Sequence, residues 1–82
     1  MRYRIRFQLL RDTPVMDGYR PNWVSACKPD QNCARMIDIE GDQAILDPLF
    51  PDQWPSLGVG DNIDAYEGAR QTVHAIITAV IE

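Results

Sequence analysis

The side chains in this chain that could do chemistry are few, and they do not form a familiar catalytic set. Cys27 and Cys33 flank the sequence KPDQN, and His74 lies far from both along the chain. Two sulfurs and one distant imidazole do not supply the four ligands that a zinc site usually needs. A Cys–His nucleophile pair is formally available, but no oxyanion-hole motif or orienting residue accompanies it. We therefore expect no metal, no cofactor and no enzymatic activity.

The two cysteines and the chain's hydrophobic pattern indicate a cellular compartment. The N-terminus alternates arginine with apolar residues and lacks the apolar core of a secretory signal. No apolar run approaches the roughly 20 residues needed to span a membrane. The spacing of Cys27 and Cys33 would allow a disulfide across a turn, whereas reduced thiols are usual in the cytosol. We expect a cytoplasmic protein with reduced thiols and no membrane association.

The sequence MDGYRPNW, residues 16–23, contains the most unusual grouping of side chains. Arg20 lies between Gly18 and Pro21, with the aromatic residues Tyr19 and Trp23 on either side. A turn requires glycine and proline, but it does not require an arginine between two aromatic residues. Two interpretations stay open. The guanidinium could brace the fold by stacking on a ring or pairing with a carboxylate such as Glu67, or it could offer its planar donors to a partner's phosphate or carboxylate.

Charge is segregated along the chain. Residues 1–35 contain seven basic and three acidic side chains, whereas residues 36–82 contain one basic and nine acidic side chains, for a net charge of −4. Such segregation arises by chance or indicates a bipolar surface that docks against a mixed-charge partner. The negative total disfavours general binding to nucleic acid. The row Arg2, Arg4 and Arg6 is typical of a solvated face protecting an edge strand, and its alternative use is a docking stripe for an acidic partner.

The first half of the chain predicts short strands joined by turns. RYRIRFQLL alternates apolar and polar residues, which is typical of a half-buried strand. The side chains expected to face inward are Tyr3, Ile5, Phe7 and Leu9. NWVSAC, residues 22–27, is a second strand candidate, and KPDQN, residues 28–32, has the composition of a turn. ARMIDIEGDQAILD predicts a hairpin that turns at Gly41 and Asp42, because glycine adopts positive φ without steric cost.

The second half predicts an irregular loop and two further strands. DPLFPDQWPSLG, residues 47–58, has too many prolines for regular structure and too many apolar residues for a linker, so we expect it to cover one end of the core. GVGDNIDAYEG predicts a turn and then a strand, and GARQ predicts a second turn. In TVHAIITAVIE, β-branched residues favour a strand over an amphipathic helix. Its expected inner face is Val73, Ala75, Ile77, Ala79 and Ile81, with Ile76 and Val80 on a partly covered second face.

The elements add up to a single all-β domain over residues 1–82, either a small antiparallel barrel or a sandwich. Two segments make the expectation more specific. TPVMDGYRPNW resembles the Thr-Pro and Gly-Tyr-Arg-Pro stretch that begins the third domain of elongation factor Tu, and GDNIDAYEGARQTVHAIITAVIE is similar to that domain's closing segment. LDPLFP lies where that family has a leucine and a proline. The resemblance implies a closed antiparallel barrel of about six strands.

The resemblance also implies a candidate binding surface. In the elongation factor, this barrel packs on the nucleotide-binding domain and presents a surface to the T-stem of aminoacyl-tRNA. By motif, the residues of that surface correspond here to Arg20, Glu67 and Gly68, with Arg70 beside them and Tyr19 completing the candidate set. The chain contains no phosphate-loop motif, so we expect no nucleotide binding.

Three positions depart from the family pattern, and charge favours a protein partner over tRNA. Asp47 stands where the family often has a cationic or imidazole residue, Ala69 replaces a glycine, and His74 replaces another. Loss of a cation and gain of a carboxylate weaken contact with phosphate. The leading hypothesis is a non-catalytic module that binds a protein through the side containing Arg20 and Glu67. The alternatives are an RNA-binding accessory protein, or an antidote or decoy that mimics the elongation factor.

Overall fold

The structure is a closed antiparallel β-barrel. The computed structural model describes residues 1–25 and 28–81, and residues 28–31 by their backbone alone. Its strands are β1 (Arg2–Leu9), β2 (Asn22–Ser25), β3 (Lys28–Glu40), β4 (Gln43–Pro48), β5 (Asn62–Glu67) and β6 (Arg70–Ile81), with a short 3₁₀ turn at Pro51–Gln53. These six described strands pair in the order β1-β4-β3-β2-β5-β6 and close on themselves. The predicted barrel of about six strands is confirmed.

The barrel interior is filled by the inward side chains that alternation predicted. In β1, Tyr3 and Ile5 are fully buried, and Phe7 and Leu9 pack partly buried against the core. Trp23 is the largest fully buried side chain, and its Nε1 donates a hydrogen bond to the carbonyl oxygen of Ala34 at 3.2 Å. β1 pairs with β4 on one side and β6 on the other, so it is not an edge strand. The edge-protecting interpretation of its arginines was therefore wrong.

The predicted turn at KPDQN was also wrong. Residues 28–32 begin β3, where Lys28 pairs with Ser25 and Asn32 pairs with Trp23. Turn composition is a local preference, and pairing with a neighbouring strand overrides it here. Pro29 is tolerated because it is close to the strand's start. The predicted end of the second strand, residues 26–27, lies outside the described residues.

Of the two cysteines, only Cys33 lies among the described residues. Cys33 is a free, exposed thiol in β3, paired across the ladder with Asn22. Cys27 lies outside the described residues. The expectation of two reduced thiols is thus supported at Cys33 and stays a prediction at Cys27.

The predicted hairpin and the predicted C-terminal strand are both present. β3 turns into β4 at Gly41 and Asp42, where Gly41 has φ of 60°. β6 is a strand, as its β-branched residues indicated, and Val73, Ala75 and Ile77 are buried. The turn before β6 is shorter than the predicted turn GARQ, because Arg70 already pairs with Glu67 of β5.

A β-bulge interrupts the pairing of β6 with β1. Ile5 pairs with Ile77, but Arg4 pairs with Ala79, so Thr78 is the extra residue. Its Oγ1 donates to the carbonyl oxygen of Arg4 at 3.1 Å. Beyond the bulge Val80 pairs with Tyr3 and Ala79 pairs with Arg4. The predicted inner face is buried as far as Ile77 and half-buried at Ala79 and Ile81, and Ile76 and Val80, predicted to be partly covered, are each 39% exposed.

The proline-rich loop covers one end of the barrel, as predicted. Leu57 is buried, and Trp54 packs against the core with its ring centroid 6.3 Å from that of Tyr3. Phe50, in contrast, is 56% exposed, so not every apolar residue of the loop folds inward. The described residues contain no helix with the length and apolar character needed to cross a membrane.

Replacing Ile77 with aspartate tests the inward assignment of β6. Ile77 is 1% exposed, so Ile77→Asp buries an unpaired carboxylate at a cost of several kcal/mol, against a total stability of about 5–15 kcal/mol. The variant should lose its β signal in far-UV circular dichroism at room temperature. The matched control Ile76→Asp changes a side chain that is 39% exposed and should stay folded. Equal effects of the two substitutions would contradict the assignment.

Candidate binding site at one end of the barrel

The segment that joins β1 to β2 crosses one end of the barrel. β1 and β2 lie on opposite sides of the closed sheet, so residues 10–21 must span the opening between them. The amide of Leu10 donates to the carbonyl oxygen of Thr72, and the amide of Gly18 donates to that of Met36, each at 2.8 Å. Gly18 has φ of 93°, which glycine adopts without strain.

The Gly-Tyr-Arg-Pro sequence extends the line of β2 beside β3. Tyr19 forms an isolated bridge with Met36, and Asn22 pairs with Cys33 in the same register. Pro21, which has no amide hydrogen, lies in the gap between these two pairs. The backbone of Tyr19 is thereby anchored to the sheet, and its side chain can hold a defined position at the barrel end.

Tyr19, Arg11 and Glu67 form a compact polar cluster, here called the Arg11–Tyr19–Glu67 network. The hydroxyl of Tyr19 and Nη1 of Arg11 both donate to Oε2 of Glu67. The Tyr19 hydroxyl is also 2.8 Å from Oγ1 of Thr72, a side chain that is 1% exposed. The Arg11 guanidinium lies 5.5 Å from the centre of the Tyr19 ring, a cation–π arrangement. The network ties the crossing segment to the junction of β5 and β6.

The network perturbs the proton affinity of its members in a consistent way. The hydrogen bond from Tyr19 lowers the pKa of Glu67, and the charges of Arg11 and Arg70 lower it further. Burial raises the pKa of Tyr19, and its bond to the Glu67 carboxylate acts in the same direction. At neutral pH the network is therefore a carboxylate held by a neutral phenol and a cation, which is a stable arrangement for all three groups.

Arg11, rather than Arg20, makes the structural contacts that the sequence suggested for Arg20. Within the described residues Arg20 is exposed and forms no ion pair or aromatic contact. Arg11 follows the predicted first strand, and no motif in the sequence singles it out. The signal that could have identified it is its position directly after β1, since antiparallel pairing of the first and last strands brings that position to the start of β6.

The remaining predicted site residues lie beside the network. Gly68 has φ of 63° in the two-residue turn between β5 and β6, and Arg70 opens β6 opposite Glu67. Arg70 is exposed and has no ion pair among the described residues. A polar pocket of about 170 Å³ opens here, and its lining residues are Arg11, Asp12, Thr13, Glu67, Arg70 and Thr72. The structure thus brings Tyr19, Glu67, Gly68 and Arg70 to one end of the barrel, with Arg20 next to Tyr19 on the crossing segment.

Other groups with potential chemistry do not join this site. His74 Nδ1 is 2.6 Å from Oδ1 of Asp64 on the neighbouring strand, and Cys33 lies on β3, which is not adjacent to β6. Among the described residues no group of ligating side chains could hold a metal ion. A second pocket, of about 210 Å³, lies at the opposite end between Tyr3 and Trp54. Trp54 Nε1 is buried there without a hydrogen-bond partner in the described part of the chain.

Comparisons with protein-family models, curated proteins and solved structures found no match to this chain. The closed six-strand barrel is compatible with the third domain of elongation factor Tu, and the resemblance rests on the quoted motifs. Barrels of this kind host many unrelated functions, so function has to be argued from the site.

The contribution of the Tyr19 hydroxyl can be measured with a single atom change. Tyr19→Phe leaves the ring in place but removes the hydrogen bonds to Glu67 and Thr72, and we expect a loss of about 1–2 kcal/mol in urea denaturation. Tyr66→Phe is the matched control, since the Tyr66 hydroxyl has no hydrogen bond among the described residues. A Tyr19→Phe variant as stable as this control would contradict the network.

The lowered pKa of Glu67 predicts an acid dependence of stability. Because the folded pKa lies below its ordinary value of 4.5, the unfolded chain binds more protons, and the contribution of Glu67 is present at neutral pH. This contribution to stability is lost as the pH falls below the ordinary pKa of the carboxyl group and then through its lower pKa in the folded state. Glu67→Gln should therefore flatten the decline in stability between about pH 5 and about pH 3. Glu40→Gln, which removes an exposed carboxylate outside any ion pair of the described residues, should leave the decline unchanged.

Proposed function

We propose that this chain is a non-catalytic interaction module that binds a protein partner through the barrel end containing the Arg11–Tyr19–Glu67 network. The observation that carries the proposal is a contrast between neighbouring arginines. Arg11 is held by Glu67 and Tyr19, whereas Arg20 and Arg70 are exposed and have no ion pair in the described part of the chain. The first arginine stabilises the surface, and the other two are available to a partner.

The network supports binding because it organises the surface in advance. The crossing segment is held by backbone bonds to β3 and β6 and by side-chain bonds to Glu67. A surface that is already ordered loses little conformational entropy when a partner binds. Arginine, with its planar array of donors, is among the residues that contribute most at protein interfaces.

The charge of this end favours a protein over tRNA. Its pocket is lined by Arg11 and Arg70 but also by Asp12 and Glu67, so cations and carboxylates are balanced. A phosphate backbone selects an excess of cations, while a mixed pattern is complementary to the mixed surface of a protein. The whole chain has a net charge of −4, which adds long-range repulsion of nucleic acid.

The resemblance to elongation factor Tu supports a more specific version of the proposal. A module shaped like the factor's third domain would act in the cytoplasm in connection with translation. An antidote or decoy that occupies a protein normally bound by the factor would use the same surface, so it is a special case of this proposal.

Site-specific crosslinking tests the proposal in the cells that make this chain. A photo-crosslinking residue in place of Ala69, which is exposed in the turn before β6, should capture a discrete protein. Arg20→Ala and Arg70→Ala should each lower the yield severalfold, while the melting temperature moves by only a few degrees, since neither arginine braces the fold. The matched control places the same residue at Ser56, exposed at the opposite end, and should capture nothing.

Two results would contradict the proposal. The first is the absence of an adduct at position 69, or an adduct that the arginine substitutions do not affect. The second is a gel shift with tRNA that tightens at low salt and is lost in Arg20→Ala or Arg70→Ala, which would favour the RNA-binding alternative.

A further inference from the structure

Three arginines outside the Arg11–Tyr19–Glu67 network share one outer face of the sheet, and the register of Tyr19 with Met36 places Arg20 opposite one of them, Arg35. β4 lies between β1 and β3, and its outward residue Asp47 is bonded on both sides, to Arg2 of β1 and to Arg35 of β3. One step along β4, Ile45 pairs with Arg4 of β1. We call the surface formed by Arg2, Arg4, Arg35, Ile45 and Asp47 the arginine face.

Asp47 acts as a clamp that orients two of these arginines. Its Oδ1 is 3.2 Å from Nε of Arg2, and its Oδ2 is 2.8 Å from Nη2 of Arg35. The carboxylate side chain is 13% exposed, whereas the two arginine side chains are 55% and 47% exposed. The hydrogen bond from Arg35 is the largest cause of the lowered pKa of Asp47, so the clamp remains charged well into the acid range. Each guanidinium donates one N–H group to Asp47 and presents its other N–H groups outward.

Arg4 is the arginine of this face whose side chain makes no contact that stabilises the fold. Its side chain is exposed and has no ion pair or hydrogen bond among the described residues. Ile45, opposite Arg4, is 7% exposed although it lies outside the core cluster, and Ile37 flanks it from β3. The centre of the face therefore combines a free guanidinium with the half-buried Ile37, whereas Ile45 is almost closed to solvent.

We propose that the arginine face binds an acidic, partly aliphatic segment of a protein partner. Its three guanidinium groups outnumber the single, already paired carboxylate of Asp47, so the face is locally positive on a chain whose total is negative. Carboxylates of the segment would meet Arg4 and the outward donors of Arg2 and Arg35. Aliphatic side chains between those carboxylates would lie against Ile37, which is half-buried.

The dimensions of the face favour a short protein segment over nucleic acid. Arg2 and Arg35 are separated by two strand spacings, roughly 10 Å, and the exposed Arg20 lies opposite Arg35 on the far side. Along β1 the positive area ends within one more step. At that step Arg6 already has Asp42 at 3.7 Å, and the exposed Glu40 pairs across the turn with Gln43. A phosphate chain would run from the arginines onto these carboxylates, whereas a short segment can end before them.

This inference is tested separately from the proposed function, with substitutions at Arg4, because Arg20 of the barrel end lies opposite Arg35. No residue of the arginine face belongs to the Arg11–Tyr19–Glu67 network or to the pocket beside it. Substitutions at Arg4 should therefore leave crosslinking at position 69 unchanged if that adduct depends on Arg20 and Arg70 alone.

Nuclear magnetic resonance of the intact, isotope-labelled chain tests the inference. The probes are a short acidic peptide that interleaves glutamate with leucine, and a single-stranded oligouridylate, each titrated at low salt. The peptide should shift backbone amides of β1, β3 and β4 around Arg4, Arg35 and Asp47. Arg4→Ala should weaken its affinity about threefold or more, Arg4→Glu should abolish binding, and physiological salt should weaken it. Arg70→Ala, the matched control at the barrel end, should bind the peptide as the parent does.

Each remaining outcome would overturn the inference. These outcomes are no amide shifts with the peptide, shifts located away from the arginine face, or binding that survives Arg4→Glu. Oligouridylate that binds the same face as tightly as the peptide would assign it to nucleic acid instead. The Arg4→Ala variant should have the melting temperature of the parent protein, because the Arg4 side chain forms no ion pair or hydrogen bond among the described residues. A loss of binding therefore cannot be attributed to unfolding.

Discussion

The pairing of β1 with β6 is the constraint on which the rest of the structure depends. It joins the two ends of the described chain, with Arg2 opposite Ile81, and it closes the sheet so that each strand has a neighbour on both sides. Closure removes the exposed strand edges that make open sheets prone to aggregation. It also encloses one continuous core around Trp23, Tyr3 and Ile77. Closure thereby helps a small domain to bury the apolar surface that offsets its conformational entropy.

Closure creates the polar barrel end as well as the core. With β1 and β2 on opposite sides of the barrel, the connecting segment has to cross the opening, and the crossing places Arg11 and Tyr19 above the end of β5. Glu67 accepts from both side chains, which lie 56 and 48 residues away along the chain. One carboxylate thus holds together a segment near the start of the sequence and a turn near its end. The same hydrogen bonds fix the position of the backbone around the exposed arginines beside Glu67.

The segregated charge of the sequence becomes two different surfaces in three dimensions. At the barrel end, cations and carboxylates alternate, and the arginine that stabilises the fold is distinct from those that remain exposed. On the outer face of β1, β4 and β3, cations predominate around Asp47, which orients Arg2 and Arg35 without cancelling them. In the sequence alone, Asp47 is a carboxylate that would weaken contact with phosphate. In the fold, the same carboxylate orients two arginines of a basic surface. A module with both surfaces could engage a partner at two places.

The sequence alone determined the properties that depend on neighbouring residues. Alternation placed Tyr3 and Ile5 inside, glycine set the turn at Gly41, and β-branched residues made the last segment a strand, because side-chain period and backbone preference act locally. Motifs also directed attention to Tyr19 and Glu67, which the fold does bring together. Only the tertiary structure decided that KPDQN begins a strand, that Thr78 forms a bulge in the pairing of β6 with β1, and that Arg11 rather than Arg20 binds Glu67. Each of these depends on which distant strand lies alongside, and such pairings are fixed by closure of the whole barrel rather than by any local preference.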